Sequence, residues 1–266
     1  MTPFSQPAKR PPWYLMALES RALYEFGAFT LSYPLLQLAP RGDGHPVMVL
    51  PGFMADDLST LPLRTFLKSK GYAVHGWGLG RNLGRESDPL HVNSLKMAER
   101  VQELHQRYGQ KVSLVGWSLG GIYARELARD LPEDVRFVIT LGSPFTNDIK
   151  ANNVYRLFEI MSGHTLEELD PEARRKMDEP PPAPSTAIFS RTDGVAAWQC
   201  CVEKTTAQSE SIEVESSHCG FGHNPLVLWV IADRLAQAEG EWRPFRRNKL
   251  KRLLYRNPRR KNWLCF

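Results

Sequence analysis

The stretch that most restricts what this chain can become is Val112 to Gly121, VSLVGWSLGG. A short apolar run meets Gly116-Trp117-Ser118-Leu119-Gly120, and a helical pattern with small residues follows at once. A buried strand must therefore turn sharply into a helix, with Ser118 held at the tip in a strained backbone conformation. Glycine at 116, 120 and 121 leaves room for neighbouring backbone that a side chain would block. The Leu119 N–H opens the helix, where it faces any negative charge that develops beside Ser118.

The rest of the chain supplies partners for such a strand. Pro46–Leu50, Tyr72–Trp77, Val135–Leu141, Thr186–Ser190 and Ser211–Glu215 read as further strands. Helical patterns alternate with them at about Thr60–Lys70, Asn93–Tyr108, Leu119–Arg129 and Asn224–Ala238. Gly71 and Gly109 close two of the helices, and Asn224-Pro225 opens the last. This alternation predicts an α/β fold, a mostly parallel central sheet with helices on both faces. Gly76 to Gly84 is glycine-rich but opens no helix, which excludes a dinucleotide loop and predicts a long mobile loop at a strand end.

Two segments break the alternation. Residues from about 146 to 185 carry Val154, Leu157, Phe158 and Met161 at helical spacing, an acidic helical piece at about 165–178, and a stiff return through Pro180-Pro181-Pro182. They are expected to form a helical cap inserted in the sheet. At the other end, Trp13 to Leu38 has Leu15, Leu18, Ala22, Phe26 and Phe29 at three- and four-residue spacings. That stripe predicts N-terminal helices, interrupted at Gly27 and Pro34, that pack their apolar side on the body. An apolar rim beside a cleft is the alternative.

A length of 266 residues suits one such domain, taken here as residues 1–240, followed by a tail from 241 to 266. The tail has ten Lys/Arg against one acid, while the rest of the chain has 24 basic and 28 acidic side chains, so the net charge of +5 belongs to the tail. Trp242, Phe245, Tyr255, Trp263 and Phe266 lie among its basic residues, a mixture suited to an anionic membrane surface. A tail docked on the acidic body is the alternative, and nucleic acid is not expected as a partner. No run approaches the ~20 apolar residues of a spanning helix, and Met1 to Pro12 lacks the features of a secretory signal. A cytoplasmic location is expected, with peripheral membrane contact as a variant. Cys200, Cys201, Cys219 and Cys265 fit no zinc spacing and are expected as free thiols, with a bridge among the first three as the alternative.

Chemistry is concentrated at strand ends. A serine hydroxyl is a weak nucleophile until a base removes its proton, and that base is usually a histidine oriented by a buried carboxylate. Ser118 ends one strand, Asp193 follows another in Ser190-Arg191-Thr192-Asp193-Gly194-Val195, and a histidine follows a third in Ser217-His218-Cys219-Gly220-Phe221-Gly222-His223. His218 comes directly after its strand. His223 precedes a helix N-terminus, whose dipole disfavours an imidazolium, so His218 is the expected base. Asp170 and Asp178 rival Asp193 but fall in the expected cap. The remaining histidines are scattered, so no metal and no cofactor is expected.

In these motifs the chain resembles the α/β-hydrolase superfamily, and within it small bacterial lipases and esterases, from about His45 to Ala238. Leu50-Pro51-Gly52-Phe53, Gly116-Trp117-Ser118-Leu119-Gly120, Ser190 to Val195 and His218-Cys219-Gly220-Phe221 carry the likeness, in that order. The resemblance implies Ser118 as nucleophile, Asp193 as orienting acid and His218 as base. It implies an oxyanion hole made by the Phe53 and Leu119 backbone N–H groups. Many members have His before the first-strand glycine where this chain has Pro51, which keeps the Phe53 N–H but alters the loop. The implied activity is hydrolysis of carboxylic esters, lipid-like ones above all, without a cofactor. An acyltransferase or thioesterase on the same residues, or a non-catalytic membrane-associated protein, are the alternatives.

Overall fold

The computed structural model describes residues 8–84, 95–146, 149–153, 155, 159, 176–248 and 251–256. Six strands form one parallel sheet: β1 (Pro46–Leu50), β2 (Ala73–Gly76), β3 (Val112–Trp117), β4 (Val135–Leu141), β5 (Ser185–Phe189) and β6 (Ser209–Glu213), in the order β2-β1-β3-β4-β5-β6. Every residue of β1, β4 and β5 is buried, because helices cover both faces. Val47 and Val49 face one layer, where α3 (Leu61–Ser69) packs Phe66 and Leu67 and α6 (Pro225–Leu235) packs Val227 and Ile231. Met48 and Leu50 face the other, where α4 (Leu95–Tyr108) packs Val101 and Leu104 and α5 (Leu119–Asp130) packs Ala124 and Leu127. Trimming one of these leucines to alanine is expected to cost about 2–5 kcal/mol.

The expected elements differ from the observed ones mostly at their ends. The clearest case is β6, which starts at Ser209, because Ser209 and Glu210 pair with Ser185 and Thr186. Glu210 tolerates that position because Arg234 Nη1 donates to it at 2.9 Å, as does the Phe245 N–H.

The N-terminal segment departs further from expectation. It runs as α1 (Trp13–Ala17), a 3₁₀ turn (Leu18–Arg21) and α2 (Ala22–Leu36). The break falls at residues 18–21, whereas Gly27 and Pro34 both lie inside α2. The expected apolar stripe faces the body in part: Phe29 packs on the core, with Tyr33 and Leu36 beside it. Leu18 and Phe26 are about half exposed, and the residues of α2 that are buried are Glu25 and Leu36. The reason is a demand stronger than apolar burial. Glu19, Arg21 and Glu25, the segment's only charged residues, turn inward to bond polar backbone, and they set the rotation of the helices.

Most of the expected cap, about 146–185, lies outside the described residues. Its return is fastened to α5: buried Arg125 pairs with Glu203, donates to the Met177 and Glu179 carbonyls at 3.1 and 2.7 Å, and lies 3.8 Å over the Phe145 ring. In the tail, residues 241–248 and 251–256 are described and contain the short α7 (Lys251–Leu254). Phe245 and Tyr255 are buried edge to face, centroids 5.0 Å apart, and the Tyr255 hydroxyl donates to the Leu226 carbonyl of α6 at 3.1 Å. Among the described residues no helix is long and apolar enough to cross a membrane.

Candidate active site

Ser118 sits between β3 and α5 with φ 52° and ψ −119°, one of two non-glycine residues with positive φ among those described. A non-glycine residue held there carries strain that its surroundings must over-determine. They do so by close packing. A Cβ on Gly116 would run into the Gly120 and Gly121 backbone, and one on Gly120 into the Leu50 and Pro51 carbonyls. The Ser118 N–H donates to the Leu141 carbonyl at 2.8 Å, which ties the tip to β4.

The loop after β1 lies against this tip, since a Cβ on Gly52 would be 3.2 Å from that of Ser118. Sequence reasoning missed what holds this loop. Buried Asn82, from the glycine-rich loop after β2, donates through Nδ2 to the Pro51 carbonyl at 3.0 Å. Its backbone carbonyl accepts the Met54 N–H and its own N–H reaches the Ala55 carbonyl, both at 2.7 Å. Phe53, the expected oxyanion donor, thus sits on a loop pegged on both sides. Beside the peg is a cavity of about 130 Å³ lined by Trp77, Leu79, Leu83, Met97 and Tyr123, with Arg81 and Asn82 as its polar members.

Asp193 follows β5 and His218 follows β6, and the structure brings them together. His218 Nδ1 and Asp193 Oδ2 are 2.7 Å apart and both side chains are buried. The other carboxylate oxygen accepts the Val195 and Ala196 N–H groups at 2.8 and 2.7 Å, so its direction is fixed. The Trp117 indole N–H donates to the His218 carbonyl at 3.1 Å, linking the elbow to the histidine loop. Burial opposes charge on the imidazole. The charge and hydrogen bond of Asp193, with a further contribution from Glu19, outweigh it and raise the His218 pKa above its ordinary value. His223 is placed elsewhere: its Nε2 lies 2.9 Å from the Ala22 carbonyl. Asp170, His91 and His164 lie outside the described residues.

The carboxylates that organise these loops were not singled out from the sequence. Glu19 Oε1 accepts the Gly194 N–H at 2.8 Å and the His218 N–H at 3.0 Å, and its Oε2 accepts the Cys219 N–H at 2.9 Å. One side chain therefore spans the acid loop and the base loop. Glu25 accepts the Ser217 N–H at 2.8 Å and the Ser217 hydroxyl. Arg21 Nη2 donates to the Ser216 carbonyl and the Thr192 hydroxyl, both at 2.9 Å. The available signal was three charges, at 19, 21 and 25, in an otherwise uncharged apolar run. Cys200, Cys201 and Cys219 are in no disulfide, and partial burial with the nearby Glu19 charge pushes the Cys219 thiol up to about 12, so it stays protonated. Among the described residues no His, Cys, Asp and Glu cluster suits a metal ion.

Solved structures of the same shape include the mature lipase BlEst2 of Bacillus licheniformis (TM-score 0.56, 16% identity, 75% of this chain and 95% of that one). Lipase B of Aspergillus fumigatus matches with a TM-score of 0.55 at 16% identity, over 74% of this chain and 53% of that one. In sequence, the pimeloyl-[acyl-carrier protein] methyl ester esterase of Legionella pneumophila (strain Lens) is 28% identical over 120 residues, which is 43% of this chain and 45% of that protein. The match thus spans less than half of the relative's length. The family model for the alpha/beta hydrolase family matches residues 47–256. With most of the chain inside that match, and the six-stranded parallel sheet in place, this protein belongs to the alpha/beta hydrolase family.

Proposed function

We propose that the chain is a serine hydrolase that cleaves carboxylic esters with a lipid-like acyl group, through an acyl-Ser118 intermediate and without a cofactor. The observation that supports this reading is the strained, glycine-packed Ser118, with the buried His218–Asp193 pair tied to the same turn through the Trp117 indole N–H and the His218 carbonyl. In this mechanism Ser118 Oγ attacks the ester carbonyl while His218 Nε2 takes its proton, and Asp193 stabilises the imidazolium. The Phe53 and Leu119 N–H groups receive the oxyanion. The alcohol leaves with the proton from His218, and water repeats the sequence on the acyl-enzyme. The cavity beside Asn82, lined mainly by aromatic and aliphatic side chains, supports an apolar acyl group. The lipases and the ester esterase it resembles support the same class. The basic tail offers an anionic membrane surface a second, electrostatic contact, and a cytoplasmic location suits the free thiols.

A fluorophosphonate probe tests the reading. Wild type is expected to label and to hydrolyse a nitrophenyl ester series with a preference for longer acyl chains, while Ser118→Ala does neither. Labelling that survives Ser118→Ala sinks the assignment.

A further inference from the structure

The N-terminal helices are apolar on two sides: Phe29, Tyr33 and Leu36 pack on the core, and a second set of large apolar side chains faces outward. Nine of the fifteen large apolar side chains exposed among the described residues lie between Trp13 and Leu38, so apolar exposure is concentrated on this one segment. Trp13, Leu23, Tyr24 and Leu31 are each about four-fifths exposed or more, and Leu35 and Leu38 are nearly as open. Patches of this extent on a folded protein mark a contact surface.

The helices cannot roll to hide this face. Their inward side is held by Phe29, Tyr33 and Leu36 on the core and by Glu19 and Glu25, which hold five N–H and O–H groups of the loops after β5 and β6. Rolling would leave buried donors unpaired, each at a cost comparable to the apolar burial it gained. The outward apolar face is therefore a fixed part of the molecule. It also lies outside residues 47–256, the part matched to the family.

Charge names the occupant. Between Ala8 and Gly42 the only acids are Glu19 and Glu25, both buried, so the outer face shows no negative charge. Lys9, Arg10 and Arg41 are exposed at its two ends. The basic tail emerges beside it: Arg256 reaches Glu215 at 3.4 Å, Glu215 accepts from Thr192, and Thr192 is bonded to Arg21 of the N-terminal segment. An apolar face with exposed Trp and Tyr, free of acids and edged by basic residues, matches the boundary between acyl chains and anionic headgroups.

We propose that Trp13–Leu38 is a docking face for an anionic lipid surface, distinct from the tail, and that it sets the active-site loops beside that surface. The proposal names where a lipid-like ester would be met, and rests on the proposed hydrolase reading for that use alone. The test is co-sedimentation of the full chain, as Ser118→Ala to prevent turnover, with vesicles of phosphatidylcholine and phosphatidylglycerol. The chain is expected to bind, and Leu23→Gln/Leu31→Gln to weaken binding about tenfold or more, with each single substitution in between. With Ser118 restored, the double and both single variants are expected to hydrolyse a soluble short-chain nitrophenyl ester as the parent does, which shows that they fold. Unchanged vesicle binding by the double variant overturns the proposal, as does no binding by the parent. A dimer of the parent that the double variant dissolves assigns the face to a second copy and also overturns it. Vesicle binding with the expected losses, in a chain whose soluble-ester hydrolysis survives Ser118→Ala, supports the docking face while removing the catalytic reading.

Discussion

Two helical segments hold the site, and they hold it by different forces. Helix α5 buries nine of its twelve residues and meets the sheet through glycines, backbone against backbone. The N-terminal segment touches the site through three charged side chains and leaves most of its apolar residues in solvent. The first contact is steric and indifferent to charge. The second is electrostatic, built from charge-assisted hydrogen bonds of about 1.5–3 kcal/mol each. Ser118 is thus set rigidly, whereas the loops of Asp193 and His218 depend on the hydrogen bonds of two carboxylates.

Substitutions can separate the two modes. Gly120→Ala is expected to do most harm, because the new Cβ meets the Leu50 and Pro51 carbonyls, which cannot move without shifting the oxyanion loop. A stability loss of about 3 kcal/mol in urea unfolding and loss of fluorophosphonate labelling are expected; tolerance of alanine would show that the steric contact is slack. Glu19→Gln ranks next. It keeps one carbonyl acceptor but loses the charge and presents an NH₂ group to a backbone donor, so kcat is expected to fall about tenfold with little change in KM. Its pH profile sharpens the comparison. His218 is raised above the ordinary histidine value, so the neutral base is lost as pH falls through that raised value. Glu19 contributes to the rise, and removing its charge is expected to move the acid limb of kcat/KM to lower pH, while Gly120→Ala leaves no such signature. An unmoved limb would leave Glu19 a purely structural role. The smallest effect is expected at Gly27, where a Cβ meets nothing within 4 Å. Gly27→Ala should stabilise by about 0.5–1 kcal/mol in thermal unfolding, since glycine in this segment serves no close contact.

The elbow was legible because strand, turn and helix lie within one short stretch and each residue type agrees with its neighbours. The parallel sheet was legible for the same reason, as near-continuous apolar runs at regular spacing. What escaped is where a polar group is buried by a distant partner. Glu210 reads as the outside of a strand until Arg234 and the Phe245 N–H are placed against it. Asn82 reads as loop, and its hold on the Pro51 carbonyl depends on a neighbouring strand. Glu19 and Glu25 read as the polar side of an amphipathic helix, and helical periodicity cannot tell that the polar side faces in. Of the candidate site, the order of strand ends suggested Ser118, Asp193 and His218, and the His218–Asp193 contact is present; the clamp around it could not be read locally.

That clamp has a consequence for how the protein is made. Glu19 bonds Gly194, His218 and Cys219 across 175, 199 and 200 residues of chain. On a ribosome the first helices emerge long before the strands whose loops they hold, and until then their carboxylates stay in water. The elbow with Ser118 can pack early, yet acid and base are fastened in place only after the sixth strand has been synthesised. On the proposed reading, chains that stop short of Cys219 therefore carry Ser118 without a fixed His218, and are expected to show no hydrolysis.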